Sequence, residues 1–496
     1  MSEAPSLTQK AMGGAAWNGL GAAGRIIIRM LSVAILARLV SPDAFGIAVA
    51  SLIIVDFSIM LGNLGLSRAI VQRTDLSDRH VGVALSTAAV AGVVLGALAW
   101  VFAPLFAALL RVPEAELITQ LMAIMILARM IGGIFEGLLA RQMRSREIAI
   151  ASLVSWSVGG YLVAIPLAYA GFGYWSIVFM SIAEAIVWTA FLGWSLRQSM
   201  PRPNLDFAAL RELLPLSIGY AVMAPFVFLS QSVDRFLLAR QLGVADLGFY
   251  SRATFLTTTA GSLFDGIIRN AAFPSMSQVQ QSPERLRNAA LHGTALTALL
   301  ALPTGIFCAV FAPEMIAILL GNQWGPAEFP FAVFGLALYP VLGQRLQSAI
   351  FEALGEPYTA IWPQLVCIAG IIIAVILLAG VSLNAVVLGI AGAHFARYFV
   401  VCHLAWRRID LRWRDVLPLH LSPLAVSLFV LGVGTAVRSV LEGLPPALVL
   451  AAGVVVTASL LGGLCLYRPR LVLGHHGAEL ARRLLGSRGR HLRWDA

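Results

Sequence analysis

The chain has 496 residues, of which 59% are hydrophobic and 12% are charged, and its mean hydropathy is +0.84. These values exclude an ordinary soluble globular protein, so the bilayer is expected to be the solvent. The net charge of +10 comes almost entirely from arginine, since Lys10 is the only lysine. Nucleic-acid binding is disfavoured because no polar stretch is long enough to fold into a reading domain. The excess positive charge is instead expected to meet anionic lipid head groups.

Apolar runs long enough to cross the hydrocarbon core recur along the whole chain. They predict an all-α integral membrane protein with about fourteen transmembrane helices. In chain order the predicted spans are 12–39, 45–69, 82–110, 117–140, 149–170, 174–196, 213–238, 247–277, 289–311, 329–353, 359–380, 383–405, 418–438 and 446–467.

The basic residues are concentrated in alternate loops. With the N-terminus inside, about 22 of them fall in cytoplasmic segments and about four on the opposite side, which is the bias expected of cytoplasmic loops. An even number of spans returns the chain to the starting side, so both termini are predicted to be cytoplasmic. The longest segment predicted on the outside, 311–328, is a short loop.

A polar segment and a short repeat divide the chain. Residues 197–212 read RQSMPRPNLDFAALRE and resemble a hinge. Leu36-Ala37-Arg38 followed by Gly46 recurs at the same spacing as Leu238-Ala239-Arg240 followed by Gly248, and such duplication is common in transporters with two lobes. The predicted organisation is an N-terminal lobe at 1–200, a C-terminal lobe at 201–415, two additional spans at 416–470 and a basic cytoplasmic tail at 471–496 that binds anionic lipid.

Charged side chains inside predicted spans are the candidate functional residues, because charge at membrane depth is costly. Arg25 and Arg29 are four residues apart and share one helix face, where two guanidinium groups suit an anion such as a phosphate. The alternative is that each arginine pairs with an intramembrane acid and locks helices together. The arginines of the spans are Arg25, Arg29, Arg68, Arg129, Arg235, Arg252, Arg269, Arg345 and Arg397, and the acids are Asp56, Glu136, Glu184, Asp234, Asp265 and Glu352.

Two of these acids are candidates for an ion-binding or gating role. Asp56 has no charged residue four positions away in the sequence, whereas Asp265 can pair with Arg269 one turn further on. No catalytic residue, cofactor or metal site is predicted: the sequence shows no phosphate-binding loop, nucleophile elbow or zinc helix motif. The cysteines lie singly in apolar segments.

Three segments resemble a known family. GAAWNGLGAAGRIIIRMLSVAILARLVSPDAFG, LGNLGLSRAIVQR and, at 232–253, SVDRFLLARQLGVADLGFYSRA are similar to polysaccharide-type flippases of the multidrug/oligosaccharidyl-lipid/polysaccharide (MOP) exporter superfamily. The resemblance implies two six-helix lobes around a central cavity, here with two extra C-terminal helices, in a multi-pass protein of the bacterial inner membrane. It implies alternating access that moves an undecaprenyl-pyrophosphate-linked oligosaccharide between leaflets. It also implies that arginines on the first and eighth helices bind the pyrophosphate, which by location are Arg25, Arg29, Arg252 and Arg269.

The sequence therefore leaves three functions to compare. A lipid-linked oligosaccharide flippase for exopolysaccharide, capsule or lipopolysaccharide biosynthesis is favoured by the excess of membrane arginines, and its expected partners are polysaccharide polymerase and export machinery. A cation-coupled multidrug exporter of the same superfamily would require cavity acids such as Asp56, Asp234 and Asp265. A membrane-embedded glycan polymerase or ligase is disfavoured because no large outside loop is predicted.

Overall fold

A computed structural model describes residues 24–63, 65–198, 200–277, 283–468 and 472, with the side chains of 63, 216–223, 263, 265–277, 283 and 357 left undescribed. Within these ranges the secondary structure is helical and contains no strand, which confirms the predicted all-α class. The chain divides into two compact units, Met1–Gly248 (unit 1) and Phe249–Ala496 (unit 2). The predicted tail at 471–496 and residues 12–23 of the first predicted span lie outside the described residues, apart from residue 472.

Unit 1 is built around one long helix, α5, which packs against α2, α3, α4 and α7. A π-helical turn, Val158–Ala164, interrupts α6. The helices are α1 (24–39), α2 (Pro42–Asn63), α3 (Leu66–Gln72), α4 (Asp78–Leu110), α5 (Ala115–Arg141), α6 (Ser145–Tyr169), α7 (Tyr174–Leu196) and α8 (Phe207–Gln241).

Unit 2 contains the rest of the chain after the first turn of α9. Helices α14 and α15 form its most extensive helix pair, and α10 packs against α12, α13 and α16. The helices are α9 (Val244–Ser277), α10 (Pro283–Val310), α11 (Ala312–Leu319), α12 (Glu328–Leu336), α13 (Leu338–Ala353), α14 (Ile361–Leu378), α15 (Leu383–Arg408), α16 (Trp413–Val440) and α17 (Pro446–Tyr467).

The described parts of the predicted spans are helical, although the span predicted at 45–69 covers both α2 and α3. Within the described residues, ten helices are long and apolar enough to cross a membrane, and a bent pair of helical segments supplies an eleventh. The other three predicted spans correspond to α1, α8 and α9. The chain is therefore a multi-pass membrane protein, and the count of fourteen spans stays a prediction.

The span predicted at 329–353 is broken rather than continuous. Its two parts, Asn322–Leu336 and Leu338–Ala353, are bent by 41°. Pro340 lies in the first turn of the second part and has no N–H to donate back to the preceding turn, so the helix cannot run straight through this point. The segment predicted as an outside loop, 311–328, is also different: it folds into α11 and the 3₁₀ helix Asn322–Ala327.

The repeated glycines lie at a close contact between the starts of α2 and α9. A Cβ atom on Gly46 would lie 1.8 Å from the carbonyl oxygen of Val244, and a Cβ on Gly248 would lie 2.1 Å from that of Pro42. The contact is reciprocal, because each repeat places its glycine against the first residue of the helix in the other repeat. Only glycine permits this approach of the two backbones.

The polar segment 197–212 is anchored to the start of α4 by ion pairs. His80 Nε2 lies 3.0 Å from a carboxylate oxygen of Glu212, Arg79 Nη2 lies 2.9 Å from the other oxygen, and Arg73 also contacts this carboxylate. The backbone N–H of Ser77 donates to His80 Nδ1, which leaves the proton on Nε2. Together, His80, Arg73 and Arg79 hold the pKa of Glu212 below its ordinary value of 4.5.

This network predicts a pH dependence of stability. Because the pKa of Glu212 is lower in the folded protein, the stabilisation is present above pH 4.5 and is lost as the pH falls through the lowered pKa. The melting temperature of the purified wild type should fall on acidification through this window, and that of Glu212→Gln should fall less. Equal acid sensitivity of the two proteins would show that the network does not contribute to stability.

The two additional C-terminal helices pack on unit 2 through an ion pair and a buried aromatic ring. Arg438 of α16 donates to Glu314 of α11 at 2.8 Å, and Glu314 is buried. The fully buried ring of Phe311 contacts the backbone at Gly434 on α16 and at Gly453 on α17. These contacts fix α16 and α17 against α10 and α11.

Candidate functional site

Unit 1 contains a network of charged side chains inside its helices. The network joins five helices, and each member lies within Coulombic range of at least one other. We call it the unit 1 charge cluster, and it consists of Arg25 and Arg29 on α1, Asp56 on α2, Arg129 and Glu136 on α5, Glu184 on α7 and Arg235 on α8.

The centre of the cluster is an ion pair between α5 and α7. Arg129 Nη2 lies 2.9 Å from Glu184 Oε2, and the two side chains are 25% and 13% exposed. The Arg129 guanidinium also lies over the ring of Trp188, 5.2 Å from its centroid. Arg129 therefore follows the alternative in which an intramembrane arginine pairs with an acid and connects two helices.

Arg25 and Arg29 are the members of the cluster that lie on α1. Arg29 lies within Coulombic range of Glu184 and of Arg25, and its guanidinium stacks on Trp156 of α6 at 4.9 Å. Arg25 is exposed, whereas Arg29 is half-buried. The structure therefore brings these two predicted residues together, with one guanidinium held by an aromatic face and the other open to its surroundings.

The π-helical turn of α6 supports this end of the cluster. Tyr161 lies in the turn, and its hydroxyl donates a 3.1 Å hydrogen bond to the carbonyl of Ile28. This bond holds α1 against α6 next to Arg29. Such π turns are frequent near functional sites.

Asp56 lies near cationic side chains that are far from it in the sequence. It is half-buried and lies within Coulombic range of Arg235 and Arg129 as well as of Glu184. Arg235 itself donates to the carbonyl of Gln231 and to the hydroxyl of Ser232. An aspartate in this position can exchange cation partners when the helices move.

The cluster borders a small cavity. Glu136, which lies within Coulombic range of Arg129 and Arg25, lines a cavity of about 250 Å³ together with Ser67, Arg68 and Gln72. The cluster holds four arginines and three acids, and Arg68 adds a further cation at the cavity. The site is therefore positively charged in total, as the arginine count of the sequence predicts.

The other predicted site residues lie elsewhere. Arg252 belongs to unit 2, where its guanidinium lies 5.1 Å from the ring centroid of Phe255. The backbones of Asp265 and Arg269 are part of α9, but their side chains lie outside the described residues. Their predicted roles stay predictions.

Sequence reasoning did not select Arg129, Glu136, Glu184 or Arg235 as site residues. All four were recognisable as charges inside spans. However, Arg129 and Glu184 are 55 positions apart on two different helices, and nothing in their spacing predicts that they meet. The residues that the structure describes contain no group of three histidine, cysteine or acidic side chains that could hold a metal ion.

The fold defines a class of membrane transporter. The chain superposes on lipid II flippase MurJ in an inward closed conformation with a TM-score of 0.69 and 11% identity, over 89% of this chain and 98% of that one. An outward-facing multidrug resistance MATE family transporter of the MOP superfamily matches with a TM-score of 0.60 and 17% identity, over 80% and 95% of the two chains. The chain thus has the fold of the MOP transporters.

The family follows from the sequence match. Residues 35–328 match the family model described as polysaccharide biosynthesis protein, so the chain belongs to this family. It is 28% identical over 331 residues to the succinoglycan biosynthesis transport protein ExoT of Rhizobium meliloti, covering 66% of this chain and 64% of that protein. The lipopolysaccharide biosynthesis protein WzxC of Escherichia coli is 21% identical, over 71% and 69% of the two chains.

Proposed function

We propose that this protein is a flippase that carries an undecaprenyl-pyrophosphate-linked oligosaccharide across the bacterial inner membrane by alternating access. Membership of the polysaccharide biosynthesis family, and similarity to relatives named for succinoglycan transport and lipopolysaccharide biosynthesis, support the substrate class. The MOP transporter fold supports the mechanism. The role is transport rather than enzymatic catalysis.

The observation that carries the proposal is the arrangement of Arg25 and Arg29 at the edge of a positively charged cluster. Two guanidinium groups one helical turn apart match a pyrophosphate, which presents two adjacent phosphates with oxygens that accept paired N–H donors. Arg29 is oriented by Trp156, and Arg25 is exposed, so the pair can receive a ligand without breaking the central ion pair. The sugars would occupy the central cavity that the resemblance to this superfamily implies, and the prenyl chain would stay in lipid.

The remaining members of the cluster have supporting roles. The Arg129–Glu184 pair holds α5 and α7 in place, which keeps the binding arginines at a fixed distance from the cavity. Asp56 is the proposed ion-binding or gating residue, since it can pair with Arg235 or Arg129. Arg252 and Arg269 are proposed as further substrate-binding residues, with Asp265 as a second gating residue.

The topology and organisation are proposed on the same basis. The distribution of arginine places both termini in the cytoplasm, with lobes at 1–200 and 201–415 and two additional spans at 416–470. The basic tail would bind anionic lipid, and a polymerase and export machinery would act on the delivered oligosaccharide.

A cation-coupled drug exporter is less well supported, because Asp56 lies within Coulombic range of two arginines and would bind an organic cation poorly.

Complementation of a flippase-deficient strain tests the proposal. The wild type should restore surface polysaccharide, whereas Arg25→Gln and Arg29→Gln should each reduce it about tenfold or more, since a charge-assisted hydrogen bond contributes roughly 1.5–3 kcal/mol. Arg111→Gln, at an exposed position after α4, is the matched control and should restore it fully. Full activity of both cluster variants at normal membrane levels would show that these arginines do not bind the substrate.

A further inference from the structure

Unit 2 contains a buried arginine that has no acidic partner among the described side chains. Arg397 is 6% exposed and lies inside α15, eleven residues before its last residue. Its Nε atom has no hydrogen-bond partner in the described part of the chain, and no ion pair involves this side chain there. An arginine cannot lose its charge in a protein, so this burial requires a compensating anion.

A second buried polar group faces Arg397 from α14. Gly370 packs on Ala393, and Cys367 Sγ lies 3.7 Å from His394 Nδ1, so α14 and α15 run antiparallel with these residues opposite each other. Gln364 lies three residues before Cys367, and Arg397 lies three residues after His394. Both are therefore one turn further along the same helix pair, at the same level.

The amide of Gln364 is also unsatisfied. Its side chain is 7% exposed, and Oε1 has no hydrogen-bond partner among the described residues. Rotation of the amide by 180° exchanges its oxygen and nitrogen and presents two N–H donors in place of the acceptor. Gln364 and Arg397 can thus direct donors toward a common point between α14 and α15.

Among the described side chains, the groups found within Coulombic range of Arg397 carry no negative charge. Arg397 lies within Coulombic range of Arg345 on α13 and of the Cys367 thiol, and His394 on its own helix faces it. The nearest acid in the preceding segment, Glu356, is paired with Arg408 at 2.9 Å. The first turn of α14 carries no acidic residue either.

We propose that Arg397 and Gln364 form a binding site for a small inorganic anion of the halide class, chloride being the physiological ion. The near-complete burial of both side chains excludes a lipid pyrophosphate or a sugar, whereas a monatomic anion needs only the space of one water molecule. The site is in unit 2 and uses none of the residues of the unit 1 charge cluster. Its function is to neutralise Arg397 and hold α14 against α15.

Chloride-dependent stability of the purified protein tests this site. Replacing gluconate by chloride at constant ionic strength should raise the melting temperature of the wild type saturably, by about 2–4 °C. Arg397→Met should melt at the same temperature in both salts and, in gluconate, should be at least as stable as the wild type, because the variant has no uncompensated charge. Arg407→Gln, an exposed position in the last turn of the same helix, is the matched control and should keep the chloride effect.

Equilibrium dialysis with radioactive chloride provides the direct readout. The wild type and Arg407→Gln should bind one ion per chain, and Arg397→Met should bind none. Gln364→Leu keeps the arginine and should weaken chloride binding about tenfold. This variant therefore tests the site if Arg397→Met does not fold. Absence of chloride binding by the wild type, or its persistence in Arg397→Met, would overturn the site. Neither outcome bears on oligosaccharide transport, because the proposed substrate site contains neither Arg397 nor Gln364.

Discussion

Replacing Gly46 by alanine is expected to reduce the amount of folded protein in the membrane severalfold and to lower its melting temperature. The added Cβ would lie 1.8 Å from the carbonyl oxygen of Val244, which is backbone and cannot rotate away. Helices α2 and α9 must separate to accept it, and overpacking of this kind costs roughly 1–3 kcal/mol. Gly248→Ala should have a similar effect, since its Cβ would lie 2.1 Å from the carbonyl oxygen of Pro42.

Gly392→Ala is the matched control for this pair. Gly392 is also a helical glycine, but a Cβ there meets nothing within 4 Å. Because alanine is a better helix former by roughly 1 kcal/mol, this variant should be as stable as the wild type or slightly more so. Normal stability of Gly46→Ala and Gly248→Ala would mean that the reciprocal contact between the repeats is not tight.

Breaking the Arg129–Glu184 pair should have the second large effect. Glu184→Gln leaves the Arg129 guanidinium without its carboxylate inside the membrane, and loss of one partner of a buried pair costs about 3–5 kcal/mol. The substitution also removes an acid that lies within Coulombic range of Arg29 and Asp56. We expect a melting temperature well below that of the wild type and a loss of transport.

A double-mutant cycle identifies the cause. Arg129→Met combined with Glu184→Gln removes both charges, so the double variant should be more stable than Glu184→Gln alone. Additive effects of the two single substitutions would contradict a direct pair. Transport by the double variant reports whether the pair only holds α5 and α7 or also contributes charge to the site.

The sequence was sufficient to predict the helices. Apolar runs of span length indicate helices, and the described parts of the predicted spans are helical, with two of the spans divided between two helices. The repeat of Gly46 and Gly248 was also visible, and its meaning became clear only from the reciprocal backbone contact. The bend before Pro340 is of the kind that a proline inside a span produces, whereas the direction of a bend depends on packing rather than on composition.

The candidate site was predicted only in part. The sequence identified Arg25, Arg29 and Asp56, and the structure brings them into one cluster. It did not predict the pairing of Arg129 with Glu184, because contacts between distant helices leave no periodic signal in either helix. The same holds for Gln364 and Arg397, whose facing positions follow from the packing of α14 on α15.

Translocation in proteoliposomes tests the central claim most directly. Purified protein would be reconstituted with an undecaprenyl-pyrophosphate-linked oligosaccharide, and the arrival of the sugar at the opposite leaflet would be measured by its accessibility to a membrane-impermeant glycosidase. The wild type should move the substrate, and the Arg25→Gln/Arg29→Gln double variant should be slower by roughly tenfold to a hundredfold. Equal rates for the two proteins, or no translocation by a correctly folded wild type, would contradict a flippase that binds pyrophosphate through these arginines.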